Sequence, residues 1–406
     1  MAVERIKQYL SSLDFPWDLN QLPSSAYLVG GSVRDALLER HKQPLDLDFV
    51  LPSNTIALAK EIANLYSAGF VVLDREREIA RVVFPQGTLD FALQEGSSLA
   101  TDLKRRDFTI NAIAFNIATQ EIVDPLNGLA DLEQKTLRMV SVHNLEDDPL
   151  RLLRAYRQAA QLNLTIEQDT RKAICDRVAL LSTVAAERVQ AELNYMLATS
   201  QGNKWLKAAV EDNLLQVWLP SIDLDKIEQL DRIDEAIKYC FNLGLNSPEL
   251  SLLSKLATLV SANETTAELE LTRLKYSRSQ IRTVSNTVKH LLYLQNMTRA
   301  MSLREQYFWF QDTKDIFPVL IVRAIATDVS SKLLEPLIRR YLDSADSVFY
   351  PRLLVTGNDL IEELKLKPSA IIGKLLTEIQ VAQIESKIGT RQEALEYAQF
   401  LLKILI

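Results

Sequence analysis

"PLDLDFV", residues 44–50, is the stretch whose reading decides the fold. Its polarity alternates with the two-residue period of a β-strand. Leu45, Leu47 and Phe49 fall on one face, Asp46 and Asp48 on the other. Like charges two residues apart on a strand repel, so water or something positive must face them. The apolar side needs a sheet and a covering layer, and the flanking sequence offers both. "AYLVGGSVRDALLE" (26–39) reads as a short buried strand, a Gly-Gly turn and a helix from near Ser32. "SNTIALAKEIANLYSA" (53–68) reads as a helix opened by a Ser-Asn cap. "FVVL", "ARVVF" and "TLDFAL" follow as short strands, then "EIVDP" before the turn "LNG". From Asp131 onward nearly everything has the helical period.

A chain of 406 residues, 47% hydrophobic and 24% charged with only 11 glycines, suggests several domains and a mostly helical protein with a mixed front end. Breaks are expected near 140, 200 and 330. Cys175 and Cys240 stand far apart in no ligand spacing, so they read as ordinary reduced core thiols rather than a disulfide or zinc site. The amphipathic start "MAVERIKQYLSSLDF" is charged throughout, unlike a signal peptide. No apolar run approaches the roughly 20 residues of a membrane span. These features predict a soluble, cytoplasmic protein with no membrane partner. A net charge of −7 argues against a general nucleic-acid coat but leaves room for a local basic track. His41, His143 and His290 are isolated and none precedes an aspartate, which excludes an HD-type phosphohydrolase motif.

A lone D-x-D is commonly a solvated strand face; its context here points elsewhere. Gly30-Gly31 lies between a strand and a helix start, where backbone amides favour an anion such as a triphosphate, and glycine permits its close approach. Arg34 adds a charged donor in the first turn. Asp46 and Asp48 then become ligands for Mg²⁺, whose preferred donors are oxygens, in a two-metal displacement at phosphorus. Asp90 in "TLDFAL" is either a third catalytic carboxylate or a solvated strand residue. In "RRDFTINA" (105–112), Arg105 and Arg106 are candidates for triphosphate binding and Asn111 for holding sugar or backbone; the bland alternative is a helix start salt-bridged through Asp107.

"DDPLRLLRAYRQAA" (147–160) places Leu152, Leu153, Tyr156, Ala159 and Ala160 on one helical arc, with Asp148, Arg151, Arg154 and Arg157 opposite. Asp148 before Pro149 also has the form of an N-cap with proline at N1. The functional alternative is specific. An aspartate acceptor beside an arginine donor matches the N4–H and N3 edge of cytosine and the N6–H and N1 edge of adenine. Uracil and guanine present the reverse order. A protein edge of that kind selects C and A without a nucleic-acid template, because the wrong base leaves buried polar groups unpaired.

"LVGGSVRDALL…LDLDFV", "DLKRRDFTINAIAFN", "VDPLNGLADLEQKTLR", "DDPLRLLRAYRQAAQL" and "AAERVQAEL", in this order over residues 26–200, resemble the class II tRNA nucleotidyltransferase (CCA-adding) and bacterial poly(A) polymerase family. Residues 354–398 resemble the family's tail more weakly. The resemblance implies an α+β chain. A small polymerase-beta-type nucleotidyltransferase head with a mixed sheet (1–138) precedes an all-α neck carrying the nucleotide-selecting helix (139–200), a body (201–330) and a tail (331–406), the last two binding tRNA. It implies transfer of CMP or AMP from CTP or ATP to the tRNA 3′ end with release of pyrophosphate, and no protein partner. By motif, Asp46 and Asp48 hold metal, while Gly31, Arg34 and Arg106 bind nucleotide. Asp148 and Arg151 read the base, supported by Arg154 and Arg157. Three departures stand out: Asp147-Asp148 replaces a Glu-Asp pair, Gln158 replaces a common aromatic, and "QLNL" lacks the customary glycine, the last two reading as packing changes. "LDREREIARVV" (73–83) sits where the family has a mobile loop that helps the switch from C to A, and leans towards an enzyme able to add A. Products open on this reading are CCA, CC or A alone; the rivals are a poly(A) polymerase and, from another class, a catalytically silent RNA-binding protein.

Residues 271–304 contain seven Lys or Arg and no acid. Lys275, Arg278, Arg282 and Lys289 are expected on one helical face, with Ile281, Val284, Val288 and Leu291 on another. The basic face is either solvated or a track for tRNA phosphates. "YFWFQD" (307–312), Trp205 and Trp218 are expected in the core.

Overall fold

The computed structural model describes residues 1–13, 17–40, 44–199 and 201–405; His41 lies outside the described residues. The chain forms two compact units, Met1–Val217 and Trp218–Ile406.

The first unit is built on a seven-stranded sheet of β1 (Tyr27–Val29), β2 (Leu45–Leu51), β3 (Gly69–Asp74), β4 (Ile79–Phe84), β5 (Gly87–Leu93), β6 (Ala114–Asn116) and β7 (Glu121–Val123). Their spatial order is β3-β4-β5-β2-β1-β6-β7. Only β2 and β5 run parallel; the other neighbours are antiparallel. The alternation of "LDLDFV" is realised on β2: Leu45, Leu47 and Phe49 are buried while Asp46 is exposed and Asp48 half-buried. Phe49 stacks on Phe91 of β5 at 5.4 Å, and Trp17 meets both rings edge-on at 5.9 and 6.1 Å. A one-residue slip of either strand would expose these rings and bury the acids, so packing fixes the register. Gly87 is required by crowding, since a Cβ there would stand 2.1 Å from the Leu45 carbonyl.

Helix Thr55–Leu65 forms as expected, but Asn54, its N-cap, sits at φ 61° and makes no side-chain cap bond. The boundary expected near 200 lies further on. Helix Gly202–Glu211 packs on helix Leu150–Leu162, where Trp205 meets Tyr156 at 6.0 Å and the Tyr156 hydroxyl donates to Asp212. That helix therefore belongs with the neck. Cys175 is exposed rather than core, whereas Cys240 is buried as expected.

Among the described residues of the second unit, helices are the only regular secondary structure. Helix Phe317–Ala326 runs through its centre with eight of its apolar residues buried. Phe310, Phe317, Tyr341 and Phe349 form a ring cluster around it with centroids 4.7–5.8 Å apart. Leu360, Leu375, Ile379, Ala394 and Ala398 make a separate core, so the tail's packing begins near residue 354 rather than at 331. Trp218 and Trp309 are buried as expected. No helix among the described residues is long and apolar enough to cross a membrane.

Candidate active site

The parallel pairing of β2 with β5 sets Asp48 opposite Asp90 and Asp46 opposite Thr88. Three carboxylates thus share one face of two adjacent strands. The Thr88 hydroxyl donates to Asp46 at 2.7 Å, and Ser32, at the start of the preceding helix Gly31–Leu37, donates to the Asp46 carbonyl at 2.8 Å. Asp90 is already engaged. Arg81 of β4 grips both of its oxygens at 2.7 Å, so the pair is neutral as it stands. Burial, and then the like charges of Asp46 and Asp90, push the Asp48 carboxyl up to about 7 against the opposing pull of Arg106 and Arg81. A carboxylate held that far from its ordinary range wants either a proton or a cation.

Gly30 sits directly over this acid. At φ 73° it adopts a conformation that favours glycine, and a Cβ there would stand 3.1 Å from Arg106 Nη1 and 3.7 Å from Asp48 Oδ2. Arg106 is positioned by Asp102, a fully buried carboxylate that also accepts from Arg105 and from the Glu95 amide. The Arg106 Nε is shut from solvent with no acceptor. Gly30, Arg106 and Asp48 therefore border one space with unspent donors on one side and an unspent acid on the other. Arg105 differs from expectation: its guanidinium is committed to Glu95 and Asp102 at 3.1 Å each.

Arg34 pairs with Asp35 and donates to Asn111 at 2.7 Å. Asn111 in turn donates to Asp107 at 2.8 Å and Gln158 at 3.0 Å. Both its amide hydrogens are spent within the protein and it is buried, so in this structure it clamps Arg34. Gln158, which reads as a packing change, is a polar partner in that clamp. Burial alone would raise Asp107; Arg154, Asn111 and the Phe108 amide outweigh it and hold the carboxyl below its ordinary range.

Helix Leu150–Leu162 begins one residue later than its Asp-Pro start suggests. Pro149 occupies the N-cap, and Asp148 is extended at φ −135°, capping nothing with its side chain. Its carboxylate meets Arg188 at 2.9 Å instead. Arg151 donates through Nη1 to the carbonyls of Arg105 and Asn144, at 3.1 and 2.8 Å, and its Nε is buried without a partner. Asn144 holds the carbonyls of Lys104 and Arg106. Arg154 spans Asp107 and Glu192 at 3.4 and 3.5 Å, and Arg157 also pairs with Glu192. Helix Leu150–Leu162 is thereby stitched to the turn that carries Arg106. Asn163 ends it at φ 53°, a left-handed cap that asparagine tolerates in place of glycine.

Asp102, Asn144, Arg188 and Glu192 were not predicted. Asn144 alone had no signal, since Asp102 opens "DLKRRDFTINAIAFN" and Arg188 and Glu192 fall in "AAERVQAEL". On the second unit, Arg278, Arg282 and Lys289 line helix Arg278–Gln295, but Lys275 lies in the preceding turn at φ 62°. Arg282 pairs with Asp315 and Lys289 with Glu264, acids from other elements. Among the described residues no three His, Cys, Asp or Glu side chains gather as a ready-made metal cage.

Comparison with known proteins agrees with this geometry. Residues 26–94 and 88–138 match the poly A polymerase head domain, and residues 247–398 match tRNA nucleotidyltransferase domain 2. The chain is 47% identical over 402 residues to a CC-adding tRNA nucleotidyltransferase of Synechocystis, covering 96% of each. It is 29% identical to a CC-adding enzyme of Geobacter sulfurreducens, over 92% of this chain and 91% of that one. An A-adding enzyme of Deinococcus radiodurans is also 29% identical, over 94% and 96%. The Thermotoga maritima CCA-adding enzyme complexed with tRNA shares the fold with a TM-score of 0.73 at 21% identity, over 98% of each chain. With a relative this similar along nearly its whole length, the chain belongs to the tRNA nucleotidyltransferase family.

Proposed function

We propose that this chain is the CC-adding member of its family, transferring two cytidylates from CTP to a tRNA 3′ end. The general reaction is the family's: template-independent addition of C or A nucleotides, with release of pyrophosphate. The observation that carries the narrower reading is the 47% identity to a CC-adding relative. The segment 73–83 supports it. The sequence leans towards a mobile loop there, able to assist A addition; β3 and β4 instead leave only residues 75–78 outside the sheet. That turn is tied down, with Asp74 accepting from the Glu76 and Arg77 amides and Thr55 donating to the Glu78 carbonyl.

The enzyme depends on a divalent metal, which we assign as Mg²⁺ on Asp46 and Asp48. The donor set fits: it is all oxygen, and Asp48 is an unspent, half-buried acid. Two carboxylates without a full cage suit Mg²⁺, which completes its coordination with water and substrate phosphate. When bound, such an ion screens the triphosphate and lowers the pKa of the attacking 3′-hydroxyl. Arg106, Arg34 and the Gly30-Gly31 backbone orient the triphosphate. Asp148 and Arg151 present the acceptor-donor edge to cytosine, with Arg154 and Arg157 behind them. Asp90 enters as a third carboxylate once Arg81 releases it. Arg278, Arg282, Lys289 and the adjacent Lys275 hold tRNA phosphates.

Purified protein with Mg²⁺ is incubated with tRNA lacking all three terminal nucleotides, lacking the last two, or lacking only the final A, each with CTP, ATP or both. The expected products gain two, one and no nucleotides, all from CTP. Efficient addition of A to tRNA already ending in CC would overturn the CC reading.

A further inference from the structure

Helix Phe317–Ala326 carries one charged residue, Arg323, in an otherwise apolar sequence. Arg323 is 7% exposed, and its Nε and Nη1 are both shut from solvent without an acceptor. Among the described residues no carboxylate reaches it, and burial pulls its guanidinium down to about 10. A buried charge with no counter-ion is among the most costly features a fold can keep. It calls for a partner from outside the chain.

Arg323 lines a cavity of about 740 Å³ in the second unit, a size typical of small-ligand sites. Lys226 stands beside it, but its ammonium is spent on the carbonyls of Ser221 and Val260, at 2.7 and 2.6 Å. Arg232 also lines the cavity, but it is an exposed side chain paired with Asp328 at 2.9 Å, which leaves Arg323 as the buried cation without an acceptor. Val288, Leu291 and Leu292 form an apolar wall, and Thr258 and Gln295 add neutral polar groups. Around the lining, Asp225, Glu228 and Asp328 balance the three cationic side chains. A polynucleotide track would be open and basic; this concavity has no net charge and one unpaired guanidinium.

We infer that this cavity is a second binding site, separate from the nucleotidyl-transfer centre, for a small oxyanion on a compact apolar body, its carboxylate or phosphate paired with Arg323. The guanidinium fork suits either anion, and the wall covers the apolar part.

The probes are benzoate and phenyl phosphate, titrated calorimetrically into the full-length protein. Arg106→Ala, which removes the donor assigned to the triphosphate, serves as background so that anion binding at the transfer site is not counted. At least one probe is expected to bind at one site per chain, with affinity reduced at least tenfold in Arg323→Met. Leu292→Glu changes a residue 56% exposed at the cavity wall, so folding is undisturbed; its added charge is expected to weaken the same binding severalfold. Without probe, Arg323→Met should melt no lower than the parent, because an apolar chain replaces an unpaired charge. Failure of both probes to bind, or binding indifferent to both substitutions, overturns the proposal. Loss of probe binding on adding saturating tRNA would assign the pocket to an RNA phosphate and also overturn it; binding that persists beside tRNA supports it.

Discussion

At the scale of single residues, Asp48 makes the sharpest demand. Its carboxyl titrates near 7 in the folded chain against an ordinary 3.8. The folded state therefore binds more protons than the unfolded state between about pH 4 and pH 7. Stability contributed by this group is present below pH 4, declines as pH rises to about 7, and is flat beyond. In metal chelator, Asp48→Asn should remove that decline and raise the melting temperature at pH 8, while abolishing nucleotide incorporation and leaving tRNA binding largely intact. Metal must displace the proton, so at limiting Mg²⁺ the rate should climb with pH towards 7 and level off above it. A rate independent of pH from 5 to 8 under those conditions would remove Asp48 from the metal site. Arg188 carries the second prediction. Because it holds Asp148 at 2.9 Å, Arg188→Ala frees the acceptor of the proposed base edge, and Arg151→Ala deletes its proposed donor. Each should relax the preference for CTP over UTP about tenfold or more, with a smaller change in triphosphate affinity. Competition between CTP and UTP on trimmed tRNA measures it.

Elements explain why some of this was legible in the sequence and some was not. The two-residue period of "LDLDFV" and the Gly-Gly turn are local statements, so the acid-bearing strand, its apolar anchor and the glycine over Asp48 could all be read from the chain. So could the polar and apolar arcs of helix Leu150–Leu162. Partners separated by long stretches of chain could not. Asn144 holds the carbonyls of Lys104 and Arg106, and Gln158 receives Asn111, contacts that exist only once the neck has packed on the head. Asp148 misleads for the same reason: a local cap motif competes with a tertiary ion pair to Arg188, and the ion pair wins. Packing between β2 and β5 is testable as an element property. Phe91 is fully buried and stacks on Phe49 beneath the acids. Phe91→Ala should cost about 3–5 kcal/mol in urea unfolding, and should lower incorporation even where the variant remains folded, because Asp90 and Arg81 lose their floor. By contrast, substitutions in the exposed Arg75–Glu78 turn that keep Asp74 should leave CTP addition within about twofold of the parent.

On the scale of the whole molecule, an acidic protein must attract a polyanion, and net charge alone would repel it. On the reading proposed above, helix Arg278–Gln295 resolves the conflict by concentration. Ser277 and Gln280 form a capping box that fixes its start, and Val284, Val288 and Leu291 bury one face, so Arg278, Arg282 and Lys289 are presented together on the other. The acids that meet two of them are poor competitors. Asp315 lies 3.2 Å from Arg282, and Glu264 lies 3.6 Å from Lys289, yet all four side chains are at least 40% exposed. Exposed pairs of this kind are worth little, so tRNA phosphates can replace them at small cost. Each phosphate neutralised releases condensed counterions and steepens the salt dependence of binding by roughly 0.7–0.9 in a log–log plot. The triple variant Arg278→Ala, Arg282→Ala, Lys289→Ala should therefore bind tRNA more weakly at low salt with a slope shallower by about 2–3. Because none of the three side chains belongs to the buried face, its melting temperature should match the parent's, and CTP incorporation at saturating tRNA should be unchanged. An unaltered slope, measured by filter binding between 50 and 200 mM salt, the range in which such slopes are read, would return this helix to the role of a solvated surface and move the tRNA contacts elsewhere.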